Sequence, residues 1–383
     1  MQNGISIYLG LDNTLEENLN LIHLAHKYNL NRIFTSFHIP ETDISHFQQD
    51  LQTILKLTQK YNMEVICDVS PNTLALLNLD TLNIQELSTL GITTLRLDFG
   101  YSAEQIAKLS HQNIKLQFNA STITQEFLDE LNHYQTDFQH IDALHNFYPR
   151  EGTGLNVKKL QQQNELLHKY NISVGAFIPS YNKARSPIKK GLPTLEIHRY
   201  QTASLAMRHL KLLGIDSIFI GDSLPTEDEI QELANLTDEY ILLKAKKLTQ
   251  NKDILKTLQE NIFTARLDEA DGAIRTQESR ALFKQIYICP EYIAPREIGS
   301  ITLDNALYAR YAGEMQIITH AQKKDNKINT IAKLLDSELI LLPYIKPNSK
   351  FKIKINYFSF MNKKSNKRTL PFITNSFLKR TKP

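Results

Sequence analysis

A strand-like segment followed by a helix-like segment recurs eight times over about the first 240 residues, and this repetition constrains the fold more than any other feature. The first strand-like segment, Ile5-Ser6-Ile7-Tyr8-Leu9, alternates apolar with small or polar side chains, whereas apolar residues in the helix-like segments recur every three to four positions. The other segments that predict strands are 32–36, 64–69, 93–99, 114–120, 139–146, 172–178 and 217–221. Eight such units match the usual size of a (β/α)8 barrel.

The competing arrangement of these strands and helices is a doubly wound open sheet. A sheet of that kind more often carries a glycine-rich phosphate-binding turn after its first strand. The sequence Gly10-Leu11-Asp12 provides no such turn. The chain therefore predicts the α/β class, with a TIM barrel as its first domain, residues 1–242.

The regular alternation ends near residue 242, where short strand-like segments with long connections replace it. Residues 243–355 therefore predict a second, smaller and β-rich domain. The last part, 356–383, is basic and aromatic without a helical period, and we predict a disordered tail there. A run of charge is usually solvated, so this tail gives little reason to expect contact with nucleic acid or a membrane.

The composition limits the classes of function. The 383 residues are 42% hydrophobic and 22% charged with a net charge of +3, which indicates a globular protein and gives no indication of nucleic acid as a partner. The sequence has no apolar run of about 18 residues and no signal-peptide pattern, so we expect a cytoplasmic protein with no membrane partner. The two cysteines, Cys67 and Cys289, are far apart and suggest neither a disulfide framework nor a metal site. We expect no metal and no cofactor.

Polar residues at the predicted strand ends are the first candidates for a functional site, because a TIM barrel carries its chemistry at the carboxyl ends of its strands. Alternation along the fourth strand turns Arg96 and Asp98 toward the barrel axis, beside Asp68 on the third strand and Asn119 on the fifth. Two carboxylates on neighbouring strands can act as acid and as nucleophile or base in glycoside hydrolysis. The alternative is that Asp98 forms a structural ion pair with Arg96 while Asp68 caps a loop.

The sixth predicted strand ends in a dense polar and aromatic stretch, His145-Asn146-Phe147-Tyr148-Pro149. Core packing gives no reason for such residues directly after a strand, since buried polar groups are costly unless they are paired or used. We therefore predict that this stretch forms one wall of a site. Asp222 ends the eighth strand on the same side of the barrel.

More than twenty residues connect the seventh predicted strand to its helix, against about 2–6 in an ordinary turn of this kind. The connection is basic and contains one well-placed carboxylate, Glu196, close to His198 and Arg199. Barrels often bind phosphate around strands seven and eight, so Lys183 and Arg185 are candidates for binding an anionic substrate. The alternative is a solvated, charged loop.

Several motifs occur together and in order along the chain. They are Leu95-Arg96-Leu97-Asp98, His145-Asn146-Phe147-Tyr148-Pro149, Thr194-Leu195-Glu196-Ile197-His198-Arg199, Ile220-Gly221-Asp222 and, in the second domain, Arg310-Tyr311-Ala312-Gly313-Glu314. With them the chain resembles the bacterial 6-phospho-N-acetylmuramidase family over roughly residues 4–355. The resemblance implies a cytoplasmic glycosidase of peptidoglycan recycling, which hydrolyses the β-1,4 bond of N-acetylmuramic acid 6-phosphate–N-acetylglucosamine. It also implies a cyclophilin-like fold for the second domain.

On this hypothesis Asp98, held ionised by Arg96, acts as nucleophile or base, and Asp68 or Glu196 acts as general acid. The residues expected to bind the phosphorylated disaccharide are Arg96, Asn119, His145, Asn146, Tyr148, Lys183, Arg185, His198, Arg199 and Asp222. Two alternatives stay open: another phosphosugar-acting TIM-barrel enzyme, an isomerase or a lyase, and a non-enzymatic surface or binding protein. The oligomeric state is also open, a homo-oligomer included.

Overall fold

The computed structural model describes residues 2–36, 43, 45–68, 83–97 and 100–356. The first eight strands are β1 (Gly4–Ile7), β2 (Arg32–Thr35), β3 (Glu64–Asp68), β4 (Thr94–Leu97), β5 (Lys115–Asn119), β6 (Ile141–Leu144), β7 (Ser173–Ile178) and β8 (Ser217–Ile220). They pair in parallel in chain order, and β1 also pairs with β8, which closes a barrel. The predicted (β/α)8 TIM barrel is confirmed.

A helix follows each barrel strand among the described residues. These helices are α1 (Leu15–Lys27), α2 (Phe47–Lys60), α3 (Ile84–Leu90), α4 (Ala103–Ser110), α5 (Gln125–His133), α6 (Val157–His168), α7 (Ala203–Leu212) and α8 (Glu227–Ala234). Capping boxes at Thr14, Ser102 and Thr226 begin three of them. In each box the cap side chain and the side chain three residues later exchange hydrogen bonds with backbone N–H groups that would otherwise be unpaired.

The barrel interior is filled in layers. At the amino ends of the strands Arg32 pairs with Glu64 (2.8 Å) and Asp142 (2.6 Å), and Lys115 pairs with Asp142 (2.8 Å). The side chains above this charged layer are mostly apolar, and they are Tyr8, Phe34, Ile66, Leu144, Phe177 and Phe219. This packing fills the amino end of the barrel, so the polar strand ends on the opposite side are available for chemistry.

The second domain is built on a seven-stranded, mostly antiparallel sheet, which confirms the predicted β-rich domain. Its elements are β9 (Ile241–Lys247), α9 (Lys252–Glu260), β10 (Ile262–Thr264), β11 (Ala273–Arg275), α10 (Ser279–Leu282), β12 (Ser300–Asp304), β13 (Met315–Ile318), β14 (Ile328–Leu334) and β15 (Lys350–Ile355). The strand order is β10-β15-β9-β14-β12-β13-β11. Whether this sheet is cyclophilin-like stays a prediction, and the tail beyond residue 356 lies outside the described residues.

The two domains meet along α7, on the outer side of the barrel. Arg208 on α7 makes a buried bidentate ion pair with Glu338 (2.6 and 2.8 Å) and also donates to the Leu242 carbonyl (2.6 Å). Leu205, on the same helix, packs with the apolar core of the second domain. None of the helices in the described ranges combines the length and apolar character needed to cross a bilayer.

Candidate active site

Arg96 lies at the centre of the polar groups at the carboxyl ends of β3, β4 and β6. Its Nε is 3.3 Å from Asp68 Oδ1, its Nη1 donates to the Leu144 carbonyl (3.1 Å), and its Nη2 donates to Asn146 Oδ1 (2.6 Å). The side chain is buried and points into the barrel, as the alternation of β4 predicts. Arg96 therefore fixes a carboxylate and an amide from two different strands in one place.

Asp68 is the carboxylate that this arrangement positions most directly. Its side chain keeps a small exposed surface while it contacts the buried Arg96 guanidinium, and a neighbouring positive charge favours the ionised carboxylate. The predicted partner, Asp98, lies outside the described residues, so the distance between the two carboxylates stays a prediction.

Three other predicted substrate-binding residues lie at the same end of the barrel. Asn119 ends β5 and its Oδ1 accepts the Ser121 backbone N–H (3.1 Å), while its amide nitrogen has no hydrogen-bond partner among the described residues. Asn146 and Tyr148 follow β6, and the Tyr148 backbone donates to the Pro193 carbonyl (3.0 Å). Both side chains are half-buried, as residues that line an opening would be.

His145 does not face the opening, contrary to the expectation that it contacts substrate. The inward positions of β6 are Asp142 and Leu144, so His145 falls on the helix side of the strand and is fully buried. Its Nδ1 lies 3.1 Å from Ser121 Oγ and its Nε2 lies 3.0 Å from Asn164 Oδ1. Burial lowers the pKa of His145 to about 4 and keeps the ring neutral. His145 thus supports the wall from behind.

Asp222 anchors the long loop after β7, and this corrects its predicted role as a substrate contact. The side chain is fully buried and accepts the backbone N–H groups of Ser180 (2.9 Å), Arg185 (3.0 Å) and Leu192 (3.1 Å). Burial raises the pKa of Asp222 to about 6. Three loop segments are thereby tied to the end of β8.

A second anchor, which the sequence did not reveal, joins the loop after β7 to the loop after β1. Asp12 accepts the Ser186 backbone N–H (2.8 Å) and the Ser186 hydroxyl (2.6 Å), as well as the Ser223 hydroxyl (2.8 Å). The signal in the sequence is an acidic residue soon after the first strand. The turn Gly10-Leu11-Asp12 was considered only as a possible glycine-rich phosphate-binding turn. The loop is therefore held on both sides of the barrel opening.

Arg185 is the cation that this anchored loop carries to the barrel opening. Its guanidinium carbon lies 5.0 Å from the ring centre of Tyr8 and 4.9 Å from that of Phe147. The residue is only 9% exposed, and its Nε is buried with no hydrogen-bond partner in the described part of the chain. Tyr8 was missed as a site residue because aromatic residues at strand ends usually belong to the core, whereas Phe147 lies in the stretch that was predicted to form one wall of the site. Stacking of this kind orients a guanidinium for an anion.

Lys183 and Arg199 differ from Arg185 because other protein groups already occupy them. Lys183 pairs with Glu17 (2.8 Å) and is partly exposed. Arg199 is 1% exposed and makes six hydrogen bonds, two of them to Glu196 and the rest to backbone carbonyls. Its predicted role as a substrate contact is therefore corrected to that of a structural clamp between loops.

Glu196 is the acidic half of this clamp. Its carboxylate accepts from Arg199 (2.6 and 2.7 Å) and from the backbone N–H groups of Gly152 (2.9 Å) and Gly154 (2.8 Å). These donors, Arg199 first, lower the pKa of Glu196 to about 2. A group that stays ionised at neutral pH is poorly suited to the predicted role of general acid.

His198 also lies away from the opening, which corrects its predicted role in substrate binding. The ring is fully buried, and its Nε2 is 2.8 Å from Nδ1 of His209 on α7. Burial lowers the pKa of His198 to about 3. The described residues contain no cluster of three or more side chains that could hold a metal ion.

Comparison with known proteins gives one family for both domains. The family model described as "6-phospho-N-acetylmuramidase, N-terminal" matches residues 3–235, and the corresponding C-terminal model matches residues 241–354. A comparison with curated proteins gave no significant match.

Two solved structures are similar to nearly the whole chain. A crystal structure of an uncharacterized B. cereus protein is 26% identical, with a TM-score of 0.82, and the alignment covers 92% of this chain and 100% of that one. A conserved protein of unknown function from Enterococcus faecalis is 31% identical, with a TM-score of 0.73 and coverages of 93% and 96%. The chain, matched in both domains, belongs to the 6-phospho-N-acetylmuramidase family.

Proposed function

We propose that the protein hydrolyses the β-1,4 bond of N-acetylmuramic acid 6-phosphate–N-acetylglucosamine, in the cytoplasm, as a step of cell-wall recycling. The observation that carries the proposal is Arg185, held at the barrel opening of a protein of this family with a donor that the described residues leave unused. A substrate with a phosphate and a lactyl carboxylate presents anions of the kind that a stacked guanidinium binds.

The carboxylates take roles that follow from their surroundings. Asp68 touches Arg96, so it suits the role that needs an ionised carboxylate, nucleophile or base. The role of general acid then falls to Asp98, since the pKa of about 2 holds Glu196 ionised. This exchanges the two roles that the sequence alone suggested for the aspartates.

Substrate binding is assigned to side chains that keep an unused polar group or exposed surface at the opening. Asn119, Asn146 and Tyr148 would contact sugar hydroxyls and the acetamido group, and Arg96 would position Asn146 and Asp68. Lys183 remains a candidate for phosphate binding at the rim. A substrate phosphate would replace its present partner Glu17, which is also an anion.

The test is incubation of the full chain with the phosphorylated and the unphosphorylated disaccharide, with the products identified by mass. We expect release of N-acetylglucosamine from the phosphorylated substrate, and much slower release from the other. The Asp68→Asn and Asp98→Asn variants should each lose at least about 100-fold in kcat, while Asp228→Asn, at an exposed position on α8, serves as the matched control.

Two results would contradict the proposal. Conversion of the phosphorylated disaccharide without free N-acetylglucosamine would indicate an isomerase or a lyase on the same barrel. Normal turnover by a folded Asp68→Asn variant would remove Asp68 from the chemistry.

A further inference from the structure

A cleft on the surface of the second domain lies between two segments of the chain that are not part of the barrel site. One segment begins with α10 (Ser279–Leu282) and continues to residue 288, and the other is Ala306–Tyr311. The backbone N–H of Ala306 donates to the Ile288 carbonyl (2.9 Å), which joins the two segments. The cleft has a volume of about 440 Å³, which is in the range of small-molecule sites.

The charged side chains that line this cleft are all cationic. They are Arg280, Lys284 and Arg310, which come from both segments and are exposed to solvent. Among the described residues that line the cleft, none is acidic. Arg310 stacks on Tyr311, with its guanidinium carbon 4.9 Å from the ring centre, and its Nη2 donates to the Tyr311 hydroxyl (2.7 Å). Within the described ranges neither Lys284 nor Arg310 has a carboxylate partner, so the cleft carries uncompensated positive charge.

A buried carboxylate orients the third cation, Arg280. Glu314 is only 5% exposed, and while its Oε1 accepts from Arg275 Nε (2.7 Å), its Oε2 lies 3.7 Å from Arg280 Nε. A carboxylate at Nε leaves the terminal nitrogens of a guanidinium free to donate elsewhere, and those of Arg280 make no hydrogen bond in the described part of the chain. The Arg280 side chain is 47% exposed, so a ligand can reach it.

The rest of the cleft is apolar, with one unusually exposed aromatic ring. Phe283 and Ile288 are buried beneath it. Tyr287, between them in the chain, is 75% exposed, so packing of the protein itself gives no reason for a tyrosine there. A tyrosine ring beside cations can pack on the apolar surface of a ligand while water or polar groups reach its hydroxyl.

We propose that this cleft binds a small phosphate ester, separately from the barrel opening. Arg280, Lys284 and Arg310 donate to the phosphate oxygens, and the Tyr287 ring packs on the organic part of the ester. A phosphate monoester carries a charge of about −1.5 to −2 at pH 7 and three strong acceptor oxygens, which matches three cations held on two segments. A carboxylate offers one charge and two oxygens, and it would leave one cation of the three unused.

Isothermal titration of the full chain with glucose 6-phosphate tests this site. All titrations use Arg185→Gln as the parent protein, so that the barrel opening contributes little to anion binding. We expect saturable binding that is at least about tenfold weaker after Lys284→Gln or Arg310→Gln, because each change removes a charge-assisted hydrogen bond. The matched control is Lys256→Gln, at an exposed lysine on α9 outside the cleft, which should bind as the parent does. These exposed substitutions should leave the melting temperature nearly unchanged.

Two further ligands separate the parts of the ester. Inorganic phosphate should bind more weakly than glucose 6-phosphate, glucose alone should not bind, and Tyr287→Ala should weaken binding of the ester only. The absence of saturable binding of glucose 6-phosphate would overturn the proposal, as would binding that Lys284→Gln and Arg310→Gln both leave intact. Equal affinities for the ester and for inorganic phosphate would also overturn it, since they would indicate attraction of anions in general. No titration measures hydrolysis, so the result is independent of the function proposed for the barrel.

Discussion

Replacing Glu196 by Gln decides whether this carboxylate is a catalytic acid or part of a clamp. With a pKa of about 2, Glu196 would be protonated in only about one molecule in 100,000 at pH 7. We therefore expect Glu196→Gln to keep kcat within about tenfold of the parent value, since loss of a true general acid costs about 100-fold or more. KM should rise, because Glu196 holds Gly152 and Gly154 in the wall of the opening.

The same substitution has a stability cost that can be worked from the structure. The shift from 4.5 to about 2 corresponds to at most about 3.4 kcal/mol. A third of the carboxylate side chain is exposed to screening water, so we expect about 1–2 kcal/mol. That loss should lower the melting temperature by about 2–6 °C.

The pH dependence of this stability term has a defined sign. The folded protein depresses the pKa of Glu196 below its unfolded value, so the contribution is complete above pH 4.5 and disappears as the pH falls toward 2. The melting temperatures of parent and variant should therefore converge in that window. Glu151→Gln, at a more exposed carboxylate near the same wall, is the control. A fall of 100-fold or more in kcat with unchanged stability would refute the clamp.

Three further substitutions test other parts of the structure. Arg185→Gln should lower kcat/KM for the phosphorylated disaccharide by about 10- to 150-fold, because a charge-assisted contact is lost, with little change in melting temperature. Steady-state kinetics checks this, and an unchanged kcat/KM would contradict it. Asp142→Ala should cost about 3–5 kcal/mol of unfolding free energy because it leaves Arg32 buried beside a single carboxylate, and chemical denaturation measures the loss. Glu338→Ala should cost a similar unfolding free energy because it leaves Arg208 buried without its partner. Changing both residues to apolar ones of similar size should recover most of that free energy. Equal losses in the single and double variants would be inconsistent with this.

The sequence predicted the barrel because each of its elements shows its period locally. Strand ends with polar residues were also readable, and Asp68, Arg96 and Asn119 do lie at one end of the barrel. His145 was predicted to bind substrate, but Asp142 and Leu144 take the inward positions of β6, so His145 is buried on the helix side of the strand.

The roles of the loop residues could not be read from the sequence. Whether an arginine binds substrate depends on how many of its donors are already used, and that is set by residues distant in the chain. Arg199 and Arg185 lie in the same basic connection and look alike in the sequence. The Arg199 guanidinium donates to carbonyls of two loops, whereas Arg185 Nε has no hydrogen-bond partner in the part of the chain that the structure describes. Asp222 acquires its role as an anchor in the same way.

The contact along α7 has a consequence for how such proteins can evolve. Leu205 packs in the core of the second domain, Arg208 is neutralised by its Glu338, and the ring of His209 lies 5.2 Å from that of Tyr344. The barrel therefore depends on the second domain to bury Leu205 and the charge of Arg208, which both lie on its own helix α7. Exchange of the second domain for an unrelated one would strand both on the barrel surface, so such an exchange would also require new residues on the outer face of α7.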